Sequence, residues 1–306
     1  MGACWDRPGT SQPAAVLPEA QILDALQSLP VLRGVPTDVL KLVAAYGRPP
    51  FFYVRAVNRS VVHWDVALTS AGNVLTLDAS QTTVGTVRGD GGFQPLLTFH
   101  QSVHRIMVSP EGDRLWVSLD DGGALATCSA RDLAPVPTVF SIFPRAHEIV
   151  ARAHGVYVLE YGFVAYYDLV GRRRDVLRLG LEHYFNLLVT QDEEHLSMQR
   201  YSEEGEQVVV DVYALRHGTL LTSWVSSNLY YLTVLSPRDE VITVRSPFQG
   251  RPSVVYFRDF FSGRVLHQWE PLDQNHQALD VSRVVWGGPT YVAIMIGHSA
   301  VHIYRC

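Results

Sequence analysis

From residue 51 to residue 306, apolar and polar positions alternate with a period near two, in short runs broken by clusters of Gly, Pro, Asp, Asn and Ser. That period places successive side chains on opposite faces of a strand. Before residue 51 the period is near 3.6 instead. Ile22, Leu23, Leu26 and Leu29 fall at helical spacing between Pro18 and Pro30, and Val39, Leu40, Leu42, Val43 and Tyr46 form a second stripe that Pro36 and Asp38 open and Gly47 ends. Proline in a first turn and glycine just past a last turn are where a helix tolerates them best. The pattern therefore predicts two short helices within residues 18–48 and strands throughout 51–306. Residues 1–17, rich in Gly, Pro, Ser, Thr and Ala, offer no periodic apolar face and are expected to be a disordered leader.

The strand region divides into sets of four. Residues 61–68, 74–79, 82–87 and 95–99 make the first, and 103–109, 114–119, 124–129 and 136–142 the second. The third is 148–152, 156–161, 163–169 and 175–179; the fourth is 184–190, 196–201, 207–215 and 219–225. The fifth is 230–235, 241–245, 253–260 and 264–269. A sixth set, 281–286, 291–296 and 300–304, stops after three strands. The run "FFYVRAV" at residues 51–57 belongs to no set and supplies the missing member if the chain closes end to end. Corresponding turns agree in chemistry: "TSAGN", "SPEGD" and "SPRDE" between first and second strands, "LRHGTL" and "FSGRVL" between third and fourth. Gly, Asp and Asn there supply the positive φ that tight hairpins need.

A period of roughly 40 residues with four strands per unit is the signature of a β-propeller. Segments such as "MVSPEGDRLWVSL" and "YYLTVLSPRDE" resemble the β-propeller superfamily that includes the WD40 repeats, and the resemblance runs over residues 51–306. It implies an all-β fold: a six-bladed β-propeller of four-stranded blades, closed by the N-terminal strand and preceded by the two-helix leader. Stacked blades bury both of their apolar faces, and closure hides the terminal edges. One departure is visible. Trp64-Asp65 falls in a first strand, whereas WD40 repeats carry their Trp-Asp pair at the end of the third.

In the leader, "LRGVPTDVLKLVAAYG" at residues 32–47 is similar to the opening helix of an F-box, with Val35-Pro36, Asp38, Val39, Leu40, Val43 and Tyr46 in matching places. That resemblance implies docking of Pro36, Val39, Leu40 and Val43 on a Skp1-type adaptor of a ubiquitin ligase, with the propeller holding the substrate. The alternatives are a scaffold propeller with no ligase partner, whose amphipathic helices merely cover its core, or a propeller enzyme with an active site at the channel mouth.

Composition narrows the function classes. With 47% hydrophobic and 18% charged residues in 306, the chain has material for a large core. A net charge of −5 gives no general attraction to nucleic acid or anionic lipid. Cys4, Cys128 and Cys306 form no Cys-x-x-Cys pair, and no apolar run is long enough to span a membrane. The expectation is a cytoplasmic monomer that binds a protein partner and neither nucleic acid nor membrane. Nucleophile elbow, phosphate loop and zinc-helix motifs are all missing from the sequence, so neither catalysis, cofactor nor metal is expected. His104, His147 and His183 recur near the starts of first strands but lack the fixed-offset partners of a coordination sphere. Propeller binding surfaces are built from the loops that lead into first strands, which nominates Arg145, His147, His183, Tyr184 and Tyr230 as partner-binding residues. The triplet Arg172-Arg173-Arg174 is read as a hairpin whose charges either grip an anion or are simply solvated.

Overall fold

The structure, a computed structural model, describes residues 51–58, 65–88, 92–112, 114–119, 123–130, 138–142, 148–180, 183–202, 207–226, 233–245, 252–288, 290–296 and 300–305. Both leader helices, with Pro36, Val39, Leu40 and Val43, lie outside these residues, as do Arg145, His147 and Tyr230. Among the described residues no helix is long and apolar enough to cross a membrane.

Six four-stranded antiparallel sheets succeed one another along the chain. The first blade is β2 (Val66–Leu68), β3 (Val74–Leu77), β4 (Thr83–Val87) and β5 (Phe93–Thr98). The second is β6 (Val103–Val108), β7 (Arg114–Leu119), β8 (Ala124–Ser129) and β9 (Thr138–Ser141); the third is β10 (Glu148–Ala151), β11 (Gly155–Glu160), β12 (Phe163–Asp168) and β13 (Arg173–Arg178). The fourth is β14 (Tyr184–Val189), β15 (His195–Tyr201), β16 (Val208–Ala214) and β17 (Thr219–Ser226). The fifth is β18 (Thr233–Leu235), β19 (Val241–Arg245), β20 (Val254–Arg258) and β21 (Val265–Trp269). The sixth is β22 (Arg283–Gly287), β23 (Tyr291–Ile296) and β24 (Ala300–Arg305), and its outer strand is β1 (Phe52–Asn58), paired antiparallel to β24 from Phe52↔Arg305 to Asn58↔Ala300. The orphan run thus closes the ring, as the three-strand count of the last set demanded.

Six apolar clusters fill the six junctions between blades, one to each. The period-two pattern is what allows this. In β7, Leu115, Val117 and Leu119 pack toward the first blade while Trp116 packs toward the third. In β11, Val156 and Val158 face the second blade, and Tyr157 and Leu159 face the fourth. Inner strands are therefore buried on both faces and read as nearly continuous hydrophobic runs, whereas the outermost strands keep polar or exposed positions.

The turns between first and second strands share one construction. Gly72, Gly112, Glu193 and Asp239 all take positive φ at the same place in the turn, and their amides donate to the carbonyls of Thr69, Ser109, Thr190 and Ser236 at 2.8–3.0 Å. The hydroxyls of those same four residues accept a second backbone N–H across the turn. Only glycine takes that conformation without cost, so Glu193 and Asp239 are held by contacts to neighbouring blades.

Two outer strands, β5 and β13, begin two residues earlier than the sequence expectation. β5 begins at Phe93 and runs through Pro95, which sits opposite a bulge between Val84 and Gly85 on an outer edge where no ladder bond is owed. Arg173 and Arg174 belong to β13 and not to a hairpin: Arg173 pairs with Glu160 at 2.8 Å and with Asp175, and Arg174 lies 5.4 Å over the Tyr166 ring. Satisfying the buried Glu160 draws Arg173 into the sheet and Arg174 stacks on Tyr166, which corrects the reading of a free basic knot.

Candidate functional site at the entry face

The first strands β2, β6, β10, β14, β18 and β22 line a central channel of about 340 Å³. Its entry end is where the chain comes into each first strand and where second strands turn into third; its exit end carries the turns between first and second strands.

Ion pairs stitch the entry end from blade to blade. Asp65, 3% exposed, receives Arg283 of β22 on one carboxylate oxygen and the amide of Ile106 in β6 on the other at 2.6 Å, while its carbonyl accepts Thr76 Oγ1 at 3.1 Å. One side chain thereby ties the sixth, first and second blades. Arg105 continues the chain of contacts to Glu148 of the third blade at 2.7 Å. At the fourth blade a bulge between Phe185 and Leu188 puts Asn186 at φ +52°, with its Nδ2 donating to Gln199 at 2.6 Å. Behind it, buried Asp211 accepts Arg200 Nε at 2.7 Å, Ser223 Oγ at 2.6 Å and Tyr184 OH at 3.1 Å.

The exit end is held differently. Arg152, 4% exposed, donates to the carbonyls of Ala151, Val189 and Thr190, and its own carbonyl accepts Trp116 Nε1 at 3.0 Å. Burial lowers the pKa of this guanidinium, partly offset by the carboxylates of Glu193, Glu111 and Asp239. Tyr157 OH donates to Glu193 at 2.6 Å, and the Gln191 amide to Asp239 at 2.8 Å, which ties the third, fourth and fifth blades. Asp192, Glu194 and His195 bring one ligand atom each within 4.8 Å on this side, but Asp192 Oδ1 is already occupied by Thr190 Oγ1 and the Glu194 amide.

The nominated residues that are described divide between rim and interior. His183 is exposed and stands against Tyr161 with ring centroids 6.1 Å apart, outside the channel lining. Tyr184 is half-buried, its hydroxyl shared with Asp211 and Tyr213. Both border a notch of about 230 Å³ on the entry face between the third and fourth blades, together with Tyr161, Phe185 and Tyr201. Phe185 and Tyr201 meet on the paired strands β14 and β15 of one blade, whereas Tyr161 follows β11 of another, so only blade stacking brings it to them. His104 is exposed and, like His183, does not line the channel. Asp65 and Asp211 left a legible signal: each is a carboxylate beside or within a β-branched run, which requires a buried partner.

No protein-family model matches the sequence, and no curated protein matches it either. Resemblance to the propeller superfamily therefore rests on the blades themselves. At the ends of the third strands of the third and fifth blades stand Tyr167-Asp168 and Arg258-Asp259, in the place where WD40 repeats carry Trp-Asp.

Proposed function

We propose that this chain is a protein-binding platform that engages its partner through the entry face of the propeller. The supporting observation is a division of labour. Charged side chains at the channel mouth are consumed in pairing with one another, while exposed aromatics, Tyr161 at 63% and Tyr201 at 50%, stand outside it on the rim. Tyrosine on a concave rim is a frequent anchor for a protein partner.

In its finer form the proposal makes the chain a substrate receptor of a ubiquitin ligase, with residues 32–47 docking a Skp1-type adaptor; its support is the F-box-like order of Pro36, Val39, Leu40 and Val43. Affinity capture with full-length chain tests both levels. Adaptor binding that is lost in Leu40→Asp and Val43→Asp supports the ligase role, and absence of binding by the wild type rejects it in favour of a plain scaffold. A cellular partner whose capture survives Tyr161→Ala together with Tyr201→Ala would contradict use of the entry face.

A further inference from the structure

We propose that the notch between the third and fourth blades is a subsite for an arginine side chain presented by a protein partner. The inference rests on the interaction reading above and names its chemistry.

Five rings border the opening, one of them Tyr184, whose hydroxyl is already shared with Asp211 and Tyr213. Tyr161 meets His183 edge-on, and Phe185 meets Tyr201 at 5.0 Å between centroids, with Leu159 and Leu179 as the apolar floor. The lining contains no lysine or arginine. Elsewhere the protein covers aromatic faces with its own guanidinium groups: Arg174 lies over Tyr166, Arg178 over Phe163, and Arg245 and Arg258 over Tyr256, at 5.4–5.9 Å. Among the described residues no cation covers Tyr161, Phe185 or Tyr201, although two of these are the more exposed tyrosines of the sheet ends. Cations of the flanking strands are committed, Arg200 to Asp211, Arg173 to Glu160 and Arg178 to the Phe163 ring. Negative ring faces on a chain of net charge −5 select a positive guest. A planar guanidinium, which stacks on rings and sheds its hydration more readily than an ammonium, fits best.

The test uses the full chain and ¹H–¹⁵N spectra titrated with N-acetyl-arginine methylamide, with the citrulline derivative as a neutral isostere and the lysine derivative as a second cation. The expected result is shifts confined to the surroundings of Tyr161, His183, Phe185 and Tyr201, weaker for lysine and weakest for citrulline. Tyr161→Leu and Tyr201→Leu keep apolar bulk but remove a ring face, and each should weaken the arginine derivative by about two- to fivefold. Equal binding of citrulline, unaltered binding by both leucine variants, preference for lysine, or no shift at the notch would each overturn the proposal. A failed partner capture would instead remove the platform reading while leaving binding of the small cation measurable.

Discussion

The seam where the ring closes and the junction between the third and fourth blades are built from different materials. At the seam, Phe51 packs 4.1 Å from Trp269 and 5.6 Å from Phe257, Trp269 meets Tyr304 at 4.8 Å, and Tyr304 OH donates to the Leu272 carbonyl at 2.7 Å. Asp65, itself buried, adds an ion pair with the partly exposed Arg283 across the joint between the sixth and first blades. The junction of the third and fourth blades has an apolar middle as well, but its two ends are polar: Arg152 and Tyr157–Glu193 at the exit, Asp211 with Arg200 and Tyr184 at the entry. It also opens into the aromatic notch. A chain that must join residue 51 to residue 305 without a covalent link places large aromatic burial there. A junction joined by continuous chain can leave rings uncovered for a guest.

The largest effect should come from the clasp. Asp65→Ala leaves Arg283 without its carboxylate and the Ile106 amide without an acceptor, and should lower unfolding free energy by about 3–5 kcal/mol in urea titration. Arg105→Ala, at a half-exposed pair, should cost about 1 kcal/mol or less. Equal losses would erase the distinction between clasp and rim. Next comes Phe51→Ala, at about 2–3 kcal/mol because the ring is half-buried. The loss should be accompanied by raised proteolytic sensitivity of β1.

Acid should loosen the seam selectively. Burial lowers the pKa of His302, against which only Asp273 acts, and of His267, where Glu240 raises it and Arg238 lowers it. Both rings belong to the junction of the fifth and sixth blades, His267 stacked 4.1 Å from Phe257 and His302 beside Tyr53 at 5.8 Å. A histidine with a depressed folded pKa contributes stability above its unfolded pKa of about 6.5, and that stability is lost as pH falls below it, since the unfolded chain takes up the proton first. Urea midpoints should therefore fall between pH 7.5 and pH 5.5 by less in His302→Gln than in the wild type. An unchanged pH dependence would show that the seam histidines are not linked to folding.

The smallest effects concern turns and rim. Gln81 holds φ +58° in a tight turn, so Gln81→Gly should raise stability by up to about 1 kcal/mol in thermal unfolding. Tyr161→Ala should change stability by less than about 0.5 kcal/mol, which keeps binding experiments at the notch interpretable.

Much of the ring was legible because turn chemistry and strand period repeat. "TSAGN", "SPEGD" and "SPRDE" do form equivalent turns, and the excess strand at 51–57 does complete the sixth blade. Site geometry was less legible, because alternation says which face a residue takes but not which neighbour it meets. Arg173 looked like turn material after Gly171 until Glu160, thirteen positions earlier, was seen to require it. His183 and Tyr184 were identifiable as rim residues from their place before a first strand, whereas Tyr161 and Tyr201 end other strands and carry no mark of proximity.

The central claim is that Phe52–Asn58 is the outer strand of the last blade. Hydrogen–deuterium exchange resolved to single amides tests it most directly. Amides of Phe52–Asn58 that bond to β24 should exchange as slowly as those of Ala300–Arg305 and on the same unfolding event. Exchange of that segment at unprotected rates while β22, β23 and β24 remain protected would contradict a ring closed by its own N-terminal strand.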